Sequence, residues 1–405
     1  MIKFQRSSFY VLISAISIQS VSWAAGPLVV DDAYVQAHGN VISGIYQGTE
    51  TQPAISVQTT KPVFIKNAFV TGPGDLISGN TVDLNVLNTR GYGMIPDTAG
   101  VTRGAFVSAE NVKHLTVKNC YIEKVKLGVY VARFIGDRTG HSATVNVVNN
   151  SFRNIDGRAS DGAGGQSITG SARAHAIQLN GVQGVPNIEI AWNQIIDEPY
   201  LSEVVDTINL YDSSGITTNH IKIHDNYLQG AWPGLPAGES YAGGGIITDG
   251  AAAVTDPTLK TAWVDVYNNQ VVASSNYGLR IAAGHDNAMY NNRVISSGYL
   301  SSGLLAGSAG KGEGLQNYNA YAHPVTTFFN NHLYSNNPVG FVRADSVGQP
   351  YRSDFYLPGQ NFNNENNVSF TPVDKLHPTR QDELNEYLLW KSKVATADQL
   401  IGPQG

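Results

Sequence analysis

The chain has 405 residues, 42% apolar and 14% charged, with 42 glycines and a formal net charge of −6. That length supports a large core, and the acidic balance excludes nucleic acid and anionic lipid as general partners. The single cysteine, Cys120, excludes an intrachain disulfide, so the fold must be held by its core or by ions.

Taken in chain order, Lys3 and Arg6 make a basic start, residues 9–18 (FYVLISAISI) form a short apolar run, and Ser22-Trp23-Ala24 reads as a cleavage site. Residues 1–24 are therefore expected to be a signal peptide, with export to the periplasm or medium. The apolar run is too short to span a membrane, which needs roughly 20 residues. Loss of Lys3 and Arg6 takes the net charge from −6 to −8.

From there a repeat dominates. Residues 117–122, 147–152, 190–195, 223–228, 266–271, 289–294 and 328–333 each read apolar-x-x-Asn-x-apolar, with Cys120 in place of the first asparagine. Residues 65–70 are a weaker earlier copy. Asparagine tolerates left-handed backbone at a sharp turn, and stacked amides form ladders. Between the copies lie alternating segments, Gly128-Val129-Tyr130-Val131, Ala176-Ile177-Gln178-Leu179, Thr207-Ile208-Asn209-Leu210, Gly245-Ile246-Ile247-Thr248, Gly278-Leu279-Arg280-Ile281 and Gly340-Phe341-Val342-Arg343. Their period of two marks strands with one buried face.

Two short strands per coil, joined by turns, is the sequence form of a parallel β-helix. A sandwich of hairpins is disfavoured by the fixed phase of the asparagine and the scarcity of Asn-Gly turns. Ladder positions 120, 150, 193, 226, 269, 292 and 331 are spaced by 23 to 43 residues, so the longer intervals carry loops at 155–174, 230–244, 250–261 and 299–325. Near the end, Thr379 and Asp382 form a helix start, with Leu384, Tyr387, Leu388 and Val394 at helical spacing. The expected organisation is a signal peptide (1–24), an N-terminal cap and first coil (25–62), the β-helix (63–346), and an extension whose helix covers the last coil (347–405).

On these motifs, across about residues 63–342, the chain resembles the right-handed parallel β-helix proteins of the pectate-lyase-like superfamily. The resemblance implies an all-β fold, a right-handed parallel β-helix with long loops and a C-terminal capping helix. It also implies a polysaccharide partner, since most enzymes of that superfamily cleave or epimerise polysaccharides, often uronic-acid polymers. Non-catalytic surface proteins share the fold. The paired aspartates of polygalacturonase-like enzymes are missing: the nearest stretches are Asn209 to Asp212, Thr248-Asp249-Gly250 and Gly284-His285-Asp286. The Arg-x-Pro-x-x-Arg pattern of classical pectate lyases and the Asp-Pro-His-Asp run of mannuronan epimerases are also absent.

Strand phase predicts which side chains face out. Ile177, Leu179, Ile208, Leu210, Leu279 and Ile281 take the inward phase. One outward row then stacks Tyr130, Gln178, Asn209, Ile247, Arg280 and Val342, and a second stacks Ala132, Asn180, Tyr211, Asp249, Ala282 and Ala344. The middle of both rows is polar and the ends apolar, as a binding groove would be. An inward, unpaired arginine would be very costly, so Arg280 is expected to face out.

Arg280 is thus a candidate catalytic residue, as a clamp on a substrate carboxylate or as a base, or else a partner of Asp249. His285 is a candidate acid or base near neutral pH, with Asp249 and Tyr211 beside it in the catalytic set. Gln178, Asn180, Asn209, Tyr130 and His175 are candidate substrate contacts. Asp206 and Asp212, with Asp249, offer oxygen ligands for a hard cation such as Ca²⁺. The resemblance implies an exported lyase that cleaves an acidic, uronate-containing polysaccharide by β-elimination. Its alternatives are a glycoside hydrolase of the same fold, using Asp249 with Asp212 or Asp206, and a non-catalytic glycan-binding protein.

Overall fold

The computed structural model describes residues 25–139, 144–167, 173–237, 243–306, 313–319, 322–344, 347–357, 362–363, 365–371 and 377–404. The expected signal peptide lies outside the described residues, as do parts of the loops at 155–174, 230–244 and 299–325. Among the described residues, no helix is long and apolar enough to cross a membrane.

The fold is a parallel β-helix. One sheet is built from β1 (Leu28–Val30), β2 (Ile55–Val57), β3 (Ile77–Asn80), β4 (Ala105–Val112), β5 (Leu127–Phe134), β6 (His175–Asn180), β7 (Asp206–Tyr211), β8 (Gly244–Asp249), β9 (Tyr277–Ile281), β10 (Leu315–Asn317) and β11 (Phe355–Tyr356). All neighbours pair in parallel. Its register stacks Val107, Val129, Ile177, Ile208, Ile246, Leu279 and Leu315 into one buried file. Each such aliphatic side chain contributes about 1.5–3 kcal/mol on burial.

From Asp83 to Asn317 the described coils have three strands where the sequence pattern suggested two; the first two coils keep one unbroken strand, Val41–Gln47 and Pro62–Gly72, in place of the second and third. The asparagine unit is itself a pair of strands hinged at its middle. Val145–Val148 and Ser151–Arg153 flank Asn150, and Ile221–His224 and Tyr227–Gln229 flank Asn226. These strands stack coil on coil as second and third faces.

The left-handed residue of each hinge precedes the ladder position: Asn149, Trp192, Asp225, Asn268 and Asn291 all have φ between 54° and 60°. The ladder asparagine does other work. Asn226 Nδ2 donates to Ile190 O and to Asn269 Oδ1, both at 2.9 Å, and its Oδ1 accepts from the backbone and side chain of Asn193. The ladder passes from Asn292 to Asn336 and Asn367, not to Asn331 as the spacing suggested. Asn331 instead bonds Asn287, in a shorter second pair at the start of the second face.

The strands at Leu28–Val30 and Val41–Gln47 are already in register with the next coil, and helix α1 (Asp32–His38) sits between them, with Tyr34 and Val35 against the core. At the other end, pairing continues beyond 346 through β11 and Phe362–Asn363. Helix α2 (Arg380–Thr396) has the expected capping box of Thr379 and Asp382. It lies along the flank of the third face, not over the last coil. Its buried positions are Glu383, Glu386, Trp390 and Val394, while Leu384 and Leu388 are exposed. Polar contacts choose that face: Glu386 accepts from Arg293 Nε and Nη2, each at 2.7 Å, and Glu383 accepts from Ser297 N. The tail then runs back across earlier coils to Asn149, Asn119 and Asn88.

Candidate functional site

The outer face of the β1–β11 sheet carries one row at fixed register: Ser78, Ser108, Tyr130, Gln178, Asn209, Ile247, Arg280, Gln316 and Tyr356. Five of the six expected members stand in it, and Arg280 does face outward. The sixth does not. Val342, with Ala344, belongs to a buried strand of the third face, and the row goes on through Gln316 instead. The upstream end is lined by serines, so it is polar rather than apolar.

Across β6 to β9 the face sinks into a cleft of about 390 Å³ lined by Arg173, His175, Gln178, Asp206, Asn209, Tyr211, Asp249, Tyr277 and Arg280 with the loop at 250–252. Asn209 is its hub. Its Nδ2 donates to Asp206 Oδ2 at 2.9 Å and to Asp249 Oδ2 at 3.4 Å, and its Oδ1 accepts from Gln178 Nε2 at 3.4 Å. Two carboxylates from adjacent coils are thereby gathered on one amide. Asp249 Oδ1 also accepts from Gly250 N at 2.8 Å, which ties it to the loop that walls the cleft.

Tyr277 was not foreseen, and it closes the other side of Asp206, to which its hydroxyl donates. The two residues are two coils apart. The ring bridges them by lying over Gly244, where a Cβ would come within 2.1 Å of Tyr277 Cζ. A glycine in register with an aromatic one coil on was the available signal. Burial and the Asp206 charge push the Tyr277 phenol up, so it stays protonated and donates. Arg280 lies over the same ring at 3.7 Å and donates through Nε to Gln316. Among the described residues its two Nη groups bond to nothing, and no ion pair with Asp249 forms. Its guanidinium fork is free for an anion.

His175 is buried at the cleft floor, its Nδ1 2.8 Å from Asp206 O. Burial lowers its pKa against the pull of Asp206, keeping it neutral. Its Nε2 has no partner among the described residues. Tyr211 lines the cleft, and burial with Asp212 and Asp249 raises its pKa. Asn180 and Tyr130 bond each other at 3.0 Å just outside it.

Two expectations part from this arrangement. His285 is on the second face, in the strand Gly284–Tyr290. Its ring nitrogens face Asp286 Oδ2 at 2.7 Å and Pro257 O at 3.0 Å, and the ring stacks on Phe329 at 4.5 Å. The turn after Ile281 carries it to a different side of the coil. Asp206 and Asp212 stand at opposite ends of β7, roughly 20 Å apart at strand rise, so they do not converge as metal ligands. Asp212 instead accepts from Ala251 N at 3.1 Å. Among the described residues, no three His, Cys, Asp or Glu side chains gather as a metal site.

Comparison with family models, with curated proteins and with solved structures finds no match to this chain.

Proposed function

We propose that the protein is an exported enzyme of the pectate-lyase-like kind that cleaves an acidic polysaccharide laid across β6 to β9. The observation that carries this reading is the hydrogen-bonded set Asp206–Asn209–Asp249 with the open Arg280 fork beside it. The fork and Arg173 suit a substrate carboxylate, and the serines and amides along the row suit sugar hydroxyls.

The carboxylate pair favours hydrolysis. Both carboxylates touch one amide nitrogen, at 2.9 and 3.4 Å, so their nearest oxygens lie no more than about 6 Å apart. That limit admits the spacing of carboxyl pairs in retaining glycosidases, roughly 5–5.5 Å. One carboxyl would protonate the leaving oxygen, while the other attacks the anomeric carbon or activates water.

A second reading is β-elimination, favoured by the Arg280 fork. A guanidinium on the uronate carboxylate acidifies the C5 proton, and Tyr211, held protonated, is placed to give a proton to the leaving oxygen. In that route the Asp249 carboxylate, in the same cleft, takes the C5 proton.

A panel of pectate, alginate and glycosaminoglycans, followed by reducing ends and by ultraviolet absorbance, tests the proposal. New reducing ends without absorbance mark hydrolysis, and with absorbance mark elimination. Binding without either product makes the protein a glycan-binding module. No turnover and no binding across the panel removes the polysaccharide reading.

A further inference from the structure

We infer a second ligand site, separate from the cleft and open to a ring-bearing anion of about one sugar acid in size. It is a cavity of about 410 Å³, a size typical of small-molecule sites, and its walls come from the turns that leave the third face and from the loop that follows Arg153. The carboxylate of Asp156 is at its base. It accepts from Arg103 Nη1 at 2.9 Å, from Arg158 Nε and Nη2 at 2.8 and 2.9 Å, and from Gln166.

Two guanidinium groups therefore share one carboxylate, and Lys124 adds a third cation at the rim, where its Nζ bonds Tyr92 Oη at 3.1 Å. The lining carries three positive charges against one negative in a chain whose net charge is −6. Nearby acids do not redress this inside the cavity. Asp197 is buried and does not line the cavity; desolvation first, and then Asp156, push its carboxyl well up. Glu123 meets Lys124 only at 3.9 Å on the surface, and the buried Glu203 does not line the cavity.

A second observation points to a ligand. Arg103 is 4% exposed, and its Nε is buried without a partner. Burial lowers the Arg103 pKa despite Asp156. An under-bonded buried cation is costly, and an anion set into the cavity relieves it. Tyr92, Met94, Tyr200 and Leu201, all substantially exposed, form a rim suited to the apolar face of a sugar ring. The site thus selects a carboxylate or sulfate carried on a ring.

Isothermal titration of the full chain with glucuronate, with glucose and with sodium sulfate tests this. Glucuronate is expected to bind and glucose not, with sulfate competing. In a background carrying Arg280→Ala, which removes the cleft's own carboxylate clamp, Lys124→Ala and Tyr200→Ala, both at side chains open to solvent, are expected to weaken glucuronate at least fivefold. Failure of glucuronate to bind overturns the inference. So does equal binding of glucose, or glucuronate binding that survives the two rim variants. Binding lost in Arg280→Ala alone assigns the anion to the cleft and also removes this site.

Discussion

Gly244 decides whether Tyr277 can reach Asp206. A methyl group there would lie 2.1 Å from Cζ and 2.3 Å from the hydroxyl, at the far end of a side chain that can swing away. Gly244→Ala is therefore expected to lower stability by only about 1–3 kcal/mol, as overpacking does, while removing most activity. Unchanged turnover with a normal melting temperature would show that the tyrosine–aspartate bond is idle. His224 offers a test that reads pH. Burial alone would lower its pKa, but hydrogen bonds to Asp225 at 2.7 Å and Glu189 at 3.0 Å outweigh it and the net shift is upward. A raised folded pKa means stability that is full below the unfolded value of about 6.5 and is lost as pH rises through the folded value. His224→Gln should thus cost more stability at pH 5.5 than at pH 9 in paired denaturant melts. An equal loss at both would refute the assignment. Asp225 and Glu189 are both held below their usual range, so their share fades only under more acid conditions.

At the scale of elements, α2 behaves as a clasp. Trp390 is fully buried, packs on Tyr227 at 5.6 Å and donates to Asp225 O at 2.9 Å, while Lys393 meets the Asp225 carboxylate at 2.6 Å. Trp390→Ala is expected to cost about 3–5 kcal/mol, with new exposure of the patch around Tyr227 and Val272 seen as dye binding. Loss of Arg293 leaves the buried Glu386 carboxylate with Gln270 Nε2 as its donor and no cation; because the arginine is itself partly exposed, Arg293→Ala should cost about 2 kcal/mol, less than a fully buried pair. A melting temperature unmoved by either change would mean that the helix is merely resting on the coils. The sequence announced this helix through Thr379 and Asp382, and of its four periodic residues Tyr387 and Val394 pack on the coils while Leu384 and Leu388 face out. Leucine periodicity points to Leu384 and Leu388, whereas the coil surface offers an arginine, a glutamine and a free N–H that only Glu386 and Glu383 can satisfy.

Across the whole molecule, each coil touches chiefly its neighbours, so interior positions carry bonds in both directions and end positions in one. Asn226, mid-ladder, bonds Asn193, Asn269 and Ile190. Asn226→Ala strands buried donors and acceptors on both sides, and should cost about 3 kcal/mol or more. Asn367→Ala, next to a ragged end and only part-buried, should cost clearly less. Chemical melts of the two variants give the comparison, and equal losses would contradict the one-dimensional picture.

Periodicity of two and a recurrent asparagine sufficed to read the β-helix, the inward file and the outward placement of Gln178, Asn209 and Arg280, because strand alternation is local and each coil repeats the same demand on its neighbours. The third strand per coil stayed hidden, since a three-residue strand such as Tyr121–Glu123 is too short to show a period of its own. Ladder membership of Asn336 over Asn331, the removal of His285 to another face and the convergence of Tyr277 on Asp206 depend on where turns fall and on how many residues each loop inserts. Those distances close only when the coils stack, and so the tertiary structure alone decided them.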